Sequence, residues 1–309
     1  MISVIIPSYN SEDTISNCLD SLESQSYAGD FEIIVVDSSN DGTSEMVAAG
    51  YPGVKLIHLF HKTDPGTARN LGIEQATGEI IAFTDADCTV KYNWLERMAA
   101  AHESLYNVVG GVVGNSMQSN GLVGRAGYMA EFRDFLPETG KQEVRHIPTC
   151  NISYKKRIFT EFGMFQGEYY PQEDLVCNYG LRRRGEKILL DPEIQVWHQQ
   201  RSGLGDFLMH QNRIGKATSR VLKKIPLEGS SIAAHPLLAL CLTPFISLVK
   251  FMRTVRVFLH RQPRFIKERP MVLPVLALGL VGWAFGFVEG AHVGNCRHQK
   301  RQNNLGQNN

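Results

Sequence analysis

The sequence lacks several patterns that would assign it to well-known classes of protein. Its six cysteines are scattered, so neither a disulfide framework nor a cysteine metal site is predicted, and a reducing, cytosol-facing compartment is favoured. No G-x-G-x-x-G motif follows the first predicted strand, which argues against a dinucleotide-binding dehydrogenase. No basic patch interleaved with aromatic residues occurs, and nucleic acid is therefore not an expected partner.

The chain also has almost no net charge, but this balance hides an uneven distribution. Its 309 residues sum to +1. Residues 232–309 contain ten lysines and arginines against Glu268 and Glu289, which gives +8 and leaves −7 for the rest. An acidic body joined to a basic, apolar tail indicates contact with an anionic membrane surface. The first residues, MISVIIPSYN, lack the basic and long apolar regions of a signal peptide, so no cleavage is expected.

Short apolar runs alternate with helical patterns through the first third of the chain. The predicted strands cover residues 2–6, 31–36, 54–59, 79–84, 108–113, 187–190 and 195–197. The predicted helices cover residues 12–25, 67–75, 94–101 and 205–220, and a loop with a short helix is expected at 121–140. Strands that alternate with helices indicate βαβ units around a parallel sheet.

Acidic side chains follow two of these strands at the point where each strand ends. Asp37 comes after the second strand, and Asp85 and Asp87 come after the fourth. Ligands of open α/β sheets bind beyond the carboxyl ends of the strands, so these acids are expected to face one crevice. An Asp-x-Asp pair in that place suits a divalent cation such as Mg²⁺ or Mn²⁺. The purely structural alternatives are a turn at Asp37 and a helix cap at the Asp-x-Asp pair.

Two nearly uncharged segments distinguish the tail. They cover about residues 232–249 and 271–288 and reach the lower limit of length for crossing a bilayer. If both crossed, their basic linker would lie opposite the body of the chain, against the positive-inside tendency. Prolines in the first segment also allow a bent, re-entrant or in-plane helix, and a pair of buried helices is the alternative to membrane contact. The predicted domains are therefore 1–225 and a membrane-associated helical tail at 226–309.

Six short motifs occur in an order that resembles one enzyme family. They are IPSYN, VVDSSNDGT, ARNLG, FTDADC, QEDLVCNYGLRRRG and VWH. Together they resemble family 2 glycosyltransferases of the GT-A fold over about residues 1–220. The resemblance implies a Rossmann-like, mostly parallel α/β sheet flanked by helices, followed here by the apolar helical region. It also implies hexosyl or related transfer from a nucleotide-diphosphate sugar, with UDP as the expected nucleotide, usually with a divalent metal and inversion at the anomeric carbon.

The resemblance assigns nucleotide binding to the ends of the first two strands. Asp37 matches the acid that hydrogen-bonds the uracil or ribose in that family. Pro7, Ser8 and Tyr9 would lie along the nucleotide.

The diphosphate and the metal are assigned to three further segments. Gly66 and Arg69 match the A-R-N-x-G region, where a planar guanidinium pairs with phosphate or carboxylate oxygens. Asp87 would be the direct metal ligand, with Asp85 at the ribose or at metal-bound water. His198 matches a position that completes the metal site in some members. A surface arginine and a structural histidine are the alternatives for Arg69 and His198.

The acceptor side is assigned to an acidic pair, Glu173 and Asp174. Asp174 is the expected base for the acceptor hydroxyl, and Glu173 would support it or contact the acceptor. Acids in the first turn of a helix are the structural alternative. One base opposite one leaving group implies a single displacement through an oxocarbenium-like transition state. The apolar tail makes a lipid-linked sugar or a growing envelope polysaccharide the expected acceptor, at the cytoplasmic face of the cell membrane.

Two other functions fit parts of the same sequence. Residues 85–89, DADCT, resemble the DxDx[TV] motif of haloacid dehalogenase-like phosphatases, in which Asp85 would be the nucleophile. That motif normally lies on the first strand, whereas here it follows three βα units. A non-catalytic relative that binds sugar nucleotides is the other alternative, and the intact acids at positions 85, 87, 173 and 174 argue against it.

Overall fold

A computed structural model describes the backbone of residues 1–305 and the side chains of residues 1–292. The end of the predicted tail therefore lies outside the described residues. The strands are β1 (Ile2–Ser8), β2 (Phe31–Asp37), β3 (Val54–His58), β4 (Ile80–Phe83), β5 (Cys88–Val90), β6 (Val108–Asn115), β7 (Gln142–Val144), β8 (Ile152–Lys155) and β9 (Ile188–His198). The helices are α1 (Ile15–Glu23), α2 (Thr43–Gly50), α3 (Pro65–Gln75), α4 (Trp94–His102), α5 (Leu122–Phe132), α6 (Arg157–Phe162), α7 (Glu173–Arg183), α8 (Leu204–Leu222), α9 (Ser230–Ala234), α10 (Pro236–Arg261), α11 (Pro263–Lys267) and α12 (Val272–Leu305).

The chain forms two compact units. The first comprises Met1–Gln118 and Asp134–Gln199, and the second comprises Ser119–Arg133 and Gln200–Asn309. The predicted domain boundary, between residues 225 and 226, falls inside the second unit. Helix α8 belongs to the second unit because it packs along α12. Helix α5, from the middle of the chain, also packs on α12 and belongs to the same unit. The division into a transferase domain and a membrane tail stays a prediction about function.

The first unit is built on one sheet in the order β3-β2-β1-β4-β8-β6-β9-β5, with β7 paired to β9. Strands β1, β2, β3, β4, β6 and β9 run in one direction, and β5, β7 and β8 run the other way. The expected α/β architecture is thereby confirmed. Central strands are covered on both faces, which explains their continuous apolar runs: Val4, Ile5 and Ile6 are fully buried.

Strand β9 differs from the sequence prediction. Residues 187–190 and 195–197 were expected to form two strands around Pro192, but they belong to one. The pairing of β9 with β6 shifts register at Gly111, which places the proline in an irregularity where a missing N–H is tolerated. A Cβ atom at Gly111 would lie 1.8 Å from the carbonyl oxygen of Ile194, so glycine permits this close approach.

The parallel strands end at one edge of the sheet. The register pairs Ser8 with Asp37 and Ile5 with Phe83. The segments that follow β1, β2 and β4 therefore start from the same edge, as the strand pattern predicted. This edge carries the side chains assigned to the donor.

The second unit is helical. Glycines at 279, 282, 286 and 290 of α12 face α8, and a methyl group at Gly286 would lie 1.9 Å from the carbonyl oxygen of Asn212. The two helix backbones are thus in contact. Helix α10 and the Val272–His292 part of α12 are long and apolar enough to cross a membrane by length and composition.

Candidate active site

The turn between β4 and β5 carries Asp85 and Asp87. Strand β5 pairs antiparallel with β9 in a register that sets Cys88 opposite His198. The N–H of Gln199 donates to the carbonyl oxygen of Asp87 at 2.8 Å, which extends this pairing. As a result, Asp87 Oδ1 lies 3.4 Å from His198 Nε2. Pairing of two strands distant in sequence thus joins the FTDADC and VWH motifs.

A group of potential metal ligands lies at this point. Donor atoms of Asp87, Cys88 and His198 are all within 4.8 Å of one another. Burial raises the pKa of the Cys88 thiol well above its ordinary value, and a soft sulfur is a poor ligand for a hard cation such as Mg²⁺ or Mn²⁺. Asp87 and His198 remain as one oxygen and one nitrogen donor. These two donors fit part of the ligand set of a divalent cation.

Arg69 joins two acidic segments. Its Nη2 lies 2.7 Å from Asp85 Oδ1, and its Nη1 lies 2.7 Å from Glu173 Oε1. Burial alone would lower the pKa of Arg69, but the attraction of Asp85 and Glu173 raises it, so the buried guanidinium stays charged. Glu173 is 104 residues away along the chain. Asp85 and Glu173, assigned to donor and acceptor, thus converge on one side chain.

Helix α3 positions this arginine. It begins with Pro65, and the side chain of Asp64 caps it by accepting a hydrogen bond from the N–H of Thr67 at 2.9 Å. Gly66 lies in the first turn, where a Cβ atom would come within 3.1 Å of Glu173 Cγ. The absence of a side chain at Gly66, one of the predicted site residues, therefore allows the start of α7 to pack closely against α3.

The acidic pair at the start of α7 has two different environments. Burial raises the pKa of Glu173 to about 7, although Arg69 opposes the shift. The second oxygen of Glu173, Oε2, has no hydrogen-bond partner within the described chain. Burial pushes the pKa of Asp174 upward, but the hydrogen bond and charge of His146, the N–H of Leu175 and the charge of Arg69 together outweigh burial, and the pKa lies below its ordinary value. Asp174 is therefore ionised at neutral pH, whereas Glu173 changes protonation there.

His146 is a site residue that the sequence did not reveal. Its Nε2 lies 3.5 Å from Asp174 Oδ2, and its ring packs against Phe135 at 5.4 Å between centroids. The other oxygen of Asp174 accepts the N–H of Leu175 at 2.6 Å. No motif or spacing marks His146, because it precedes Asp174 by 28 positions and lies in an irregular segment.

Asp37 is fully buried at the end of β2. Its Oδ1 accepts a hydrogen bond from the Ser39 hydroxyl at 2.5 Å, and its Oδ2 accepts the Ser39 N–H at 3.2 Å. Nδ1 of His58 lies 3.0 Å from Oδ2. Within the described chain its partners are thus Ser39 and His58, not the other predicted site residues. His58, also not foreseen, is the solvent-accessible member of this pair.

The segment after β1 lies at the same sheet edge. Pro7 and Ser8 complete β1, and the buried Ser8 hydroxyl has no hydrogen-bond partner among the described residues. The same holds for the hydroxyl of Thr84, directly before Asp85. Tyr9 is exposed, and the Nζ of Lys62 lies 3.8 Å from the centre of its ring.

Comparison with known proteins decides the family. The sequence profile described as "Glycosyl transferase family 2" matches residues 3–163, more than half of the chain. The chain belongs to this family. The expected enzyme class, a glycosyltransferase, is thereby confirmed, and the phosphatase alternative is not favoured.

Individual relatives agree with this assignment. Glycosyltransferase AglE of Haloferax volcanii is 28% identical over 226 residues, which cover 71% of this glycosyltransferase and 73% of AglE. The poly(ribitol-phosphate) beta-N-acetylglucosaminyltransferase TarS of Staphylococcus aureus is 31% identical over 176 residues, 55% of this chain and 30% of TarS. A crystal structure of S. aureus TarS 1-349 with UDP-GlcNAc has a TM-score of 0.54 at 20% identity, covering 93% of this chain and 90% of that one. The structural likeness establishes a shared fold.

Proposed function

We propose that this glycosyltransferase moves a sugar from a nucleotide-diphosphate sugar, UDP-linked, to a lipid-linked or envelope-polysaccharide acceptor, with a divalent cation and with inversion. The observation that carries the proposal is the pair of 2.7 Å contacts from Arg69 to Asp85 and Glu173. Through them, one buried cation connects the segment assigned to the donor diphosphate with the segment assigned to the acceptor hydroxyl.

Support for the donor comes from polar atoms at the sheet edge. Buried polar groups without partners are rare in proteins, and hydroxyls of Ser8 and Thr84 are two of them among the described residues. A ribose or a phosphate can supply the missing hydrogen bonds. The Asp37–His58 pair offers the exposed edge of an imidazole to a nucleobase or ribose. TarS, which shares the fold, is described in complex with UDP-GlcNAc.

The acids and bases of the site divide the chemistry between them. A divalent cation held by Asp87 and His198 would neutralise the charge of the departing nucleoside diphosphate. Arg69 fixes the orientation of Glu173 next to the base. Asp174, ionised and oriented by His146, accepts the proton of the acceptor hydroxyl as its oxygen bonds to the anomeric carbon. A single displacement of this kind inverts that carbon.

Glu173 is the other candidate for the base. Its pKa of about 7 would suit proton transfer at neutral pH. One of its oxygens, however, is held by Arg69, and the side chain is almost completely buried, so an acceptor sugar has little access to it. We therefore assign proton transfer to Asp174, and to Glu173 the role of supporting the base.

The acceptor and the location are proposed from the second unit and from the cysteines. Two apolar helices suit an enzyme that works on membrane-linked acceptors. TarS acts, by its name, on an extended polymer, poly(ribitol-phosphate). The five described cysteines are free thiols, which is compatible with a reducing compartment: Cys18, Cys88, Cys150, Cys177 and Cys241.

The test is a donor panel with the full chain. Nucleotide sugars are incubated with membrane lipids and Mn²⁺ or Mg²⁺, with EDTA in a parallel arm, and released nucleoside diphosphate and transferred sugar are measured. The proposal expects metal-dependent release with one donor class and loss of release in Asp87→Asn. Donor binding without any turnover would instead indicate a non-catalytic relative, and release of inorganic phosphate from phosphate esters would indicate a phosphatase.

A further inference from the structure

Helix α10 exposes an apolar face that no described residue covers. Leu237, Phe245, Val249 and Met252 are each more than 60% exposed. Only 17% of the apolar part of the helix is buried. Exposed patches of this kind mark contact with a protein or a membrane.

Basic residues continue the same face. Positions 245, 249, 252 and 256 follow helical spacing, so exposed Arg256, with Arg253 beside it, lies in line with the apolar side chains. Exposed Arg264, Lys267 and Arg269 follow in α11 and the link to α12. A hydrocarbon-like surface that ends in clustered positive charge is complementary to the acyl chains and anionic headgroups of a lipid leaflet.

Helix α12 adds a second exposed stripe. Leu278, Val281 and Phe285 recur at intervals of three and four residues and are exposed, and exposed Met271 directly precedes the helix. The two stripes belong to neighbouring helices, because α10 packs on α12 through Ala239, Trp283 and Phe287 among others. The apolar surface is therefore wider than one helix.

The other side of α12 is tied to a polar helix. Contacts pair Gly279 with Phe207, Gly286 with Asn212 and Gly290 with Lys216, so α8 and α12 run parallel in contact. Lys216 forms an ion pair with Glu289. Nζ of Lys223 donates to the carbonyl oxygen of Gly290 at 3.0 Å. Backbone contact, an ion pair and a lysine hydrogen bond thus hold the two helices together.

This attachment argues against a helix that crosses the bilayer. Asp206 and Arg213 are exposed on α8 beside the middle of the apolar segment of α12. If α12 crossed, these charges would be carried to the centre of the hydrocarbon, where they are strongly disfavoured. Insertion into one leaflet avoids this, because it immerses the exposed stripes and leaves the α8 side in water.

We infer that the second unit is a one-leaflet anchor for an anionic bilayer, with the exposed faces of α10 and α12 in the acyl chains and the basic residues at the headgroups. This rests on the membrane association proposed above and settles its topology. It does not depend on the donor or the reaction, so its test uses no nucleotide sugar.

Cys241 provides a natural reporter within the exposed part of α10. The purified full chain is bound to the outside of phosphatidylglycerol-containing vesicles, treated with a membrane-impermeant maleimide, and mapped by peptide mass. Labelling of Cys241 should be lost on vesicle binding, whereas Lys267→Cys, in the basic segment, should stay reactive. Protection of both positions, reversed at 267 when the vesicles are permeabilised, would show a spanning hairpin and overturn the inference.

A second copy of the chain is the competing occupant. In that case Cys241 would be protected without vesicles, and the chain would sediment as a stable dimer in solution. Either result overturns the lipid assignment. If the wild-type full chain transfers sugar but does not bind vesicles, the inference fails and the proposed reaction stands. If it binds vesicles but does not transfer sugar, the inference stands and the proposed reaction fails.

The headgroup contact has its own test. Arg264→Gln with Lys267→Gln should weaken binding to phosphatidylglycerol vesicles about tenfold or more at low salt, with less effect at high salt. Arg182→Gln with Arg183→Gln, an equal change of charge on exposed positions of α7, is the matched control and should bind as the wild type does. An equal loss in both variants would mean that only net charge matters and would contradict the inference.

Discussion

In most proteins charged groups are exposed and apolar groups are buried, and the two units of this molecule depart from that distribution in different ways. The first unit buries charge: Arg69, Glu173 and Asp37 have almost no exposed surface. The second unit exposes large apolar side chains, among them Leu237 and Phe285, which are at least 70% exposed. Charged residues are rarely buried unless paired, and large apolar patches are rarely left in water.

We propose that the difference marks the places where each unit meets something other than water. In the first unit Arg69 and Glu173 are paired with each other, and Asp37 is paired with His58. Exposed apolar residues in the second unit are continuous with basic residues, as suits a lipid surface. On these proposals, the departures from ordinary folding rules coincide with the functional surfaces of both units.

The largest expected effect concerns the buried acids of the first unit. Asp174→Asn keeps the shape of the side chain but removes the proton acceptor, so kcat for transfer should fall about 10²- to 10⁴-fold. Transfer is measured as nucleoside diphosphate released per enzyme. Glu168→Gln, a change of the same chemical kind outside the acidic pair, is the control. Wild-type turnover in Asp174→Asn would remove this residue from the mechanism.

Arg69→Ala tests whether the buried charges of the first unit stabilise one another. It leaves Asp85 and Glu173 without their partner, and the loss in the free energy of unfolding should be about 3–5 kcal/mol. Arg157→Ala, which removes an exposed i,i+4 pair, should change it by no more than about 0.5 kcal/mol. Adding Glu173→Gln to Arg69→Ala should recover part of the loss in urea unfolding. No recovery would contradict the pairing.

Two phenylalanines on α12 make the corresponding test in the second unit. Phe287 is 2% exposed and stacks on Trp283, whereas Phe285 is 70% exposed. Phe287→Ala should lower the free energy of unfolding by about 3–5 kcal/mol. Phe285→Ala should change it by at most about 0.5 kcal/mol in solution, yet weaken vesicle binding. Equal destabilisation by both would mean that the exposed stripe is covered within the protein.

The smallest effect is a pH dependence of stability. The folded pKa of Glu173 is about 7, above its ordinary value of 4.5, so between these values the folded chain holds a proton that the unfolded chain has lost. The contribution of Glu173 to the free energy of unfolding therefore falls as the pH rises through this window. Glu173→Gln should remove this fall, so its urea midpoint relative to wild type should improve from about pH 5 to about pH 7.5. A constant difference would contradict the shifted pKa.

Sequence patterns predicted the elements that depend on local order. Apolar runs located β1, β2, β3, β4 and β6 to within a few residues, but they did not indicate the short strands β5, β7 and β8. Parallel pairing explains why Asp37 and Asp85 follow strands that end at one edge. Motif order also predicted the enzyme family. These features depend on short-range periodicity and on the fixed geometry of a parallel sheet.

Other features depend on long-range packing that no local pattern encodes. His146 reaches Asp174 only because an irregular segment folds back beside α7. Pro192 suggested a break, but a register shift keeps β9 continuous. Helix α8 lies in the second unit because its backbone contacts the glycines of α12, a packing that no local pattern indicates.

The most direct test of the central claim, that one acidic pair binds the donor and the other activates the acceptor in a single transfer site, is a calorimetric titration. One nucleotide sugar with Mn²⁺ is titrated into wild type, Asp87→Asn and Asp174→Asn, and turnover is measured in the same samples. The account predicts weakened binding in Asp87→Asn, and wild-type binding without turnover in Asp174→Asn. Unchanged metal-dependent binding in Asp87→Asn, or full turnover in Asp174→Asn, would contradict it.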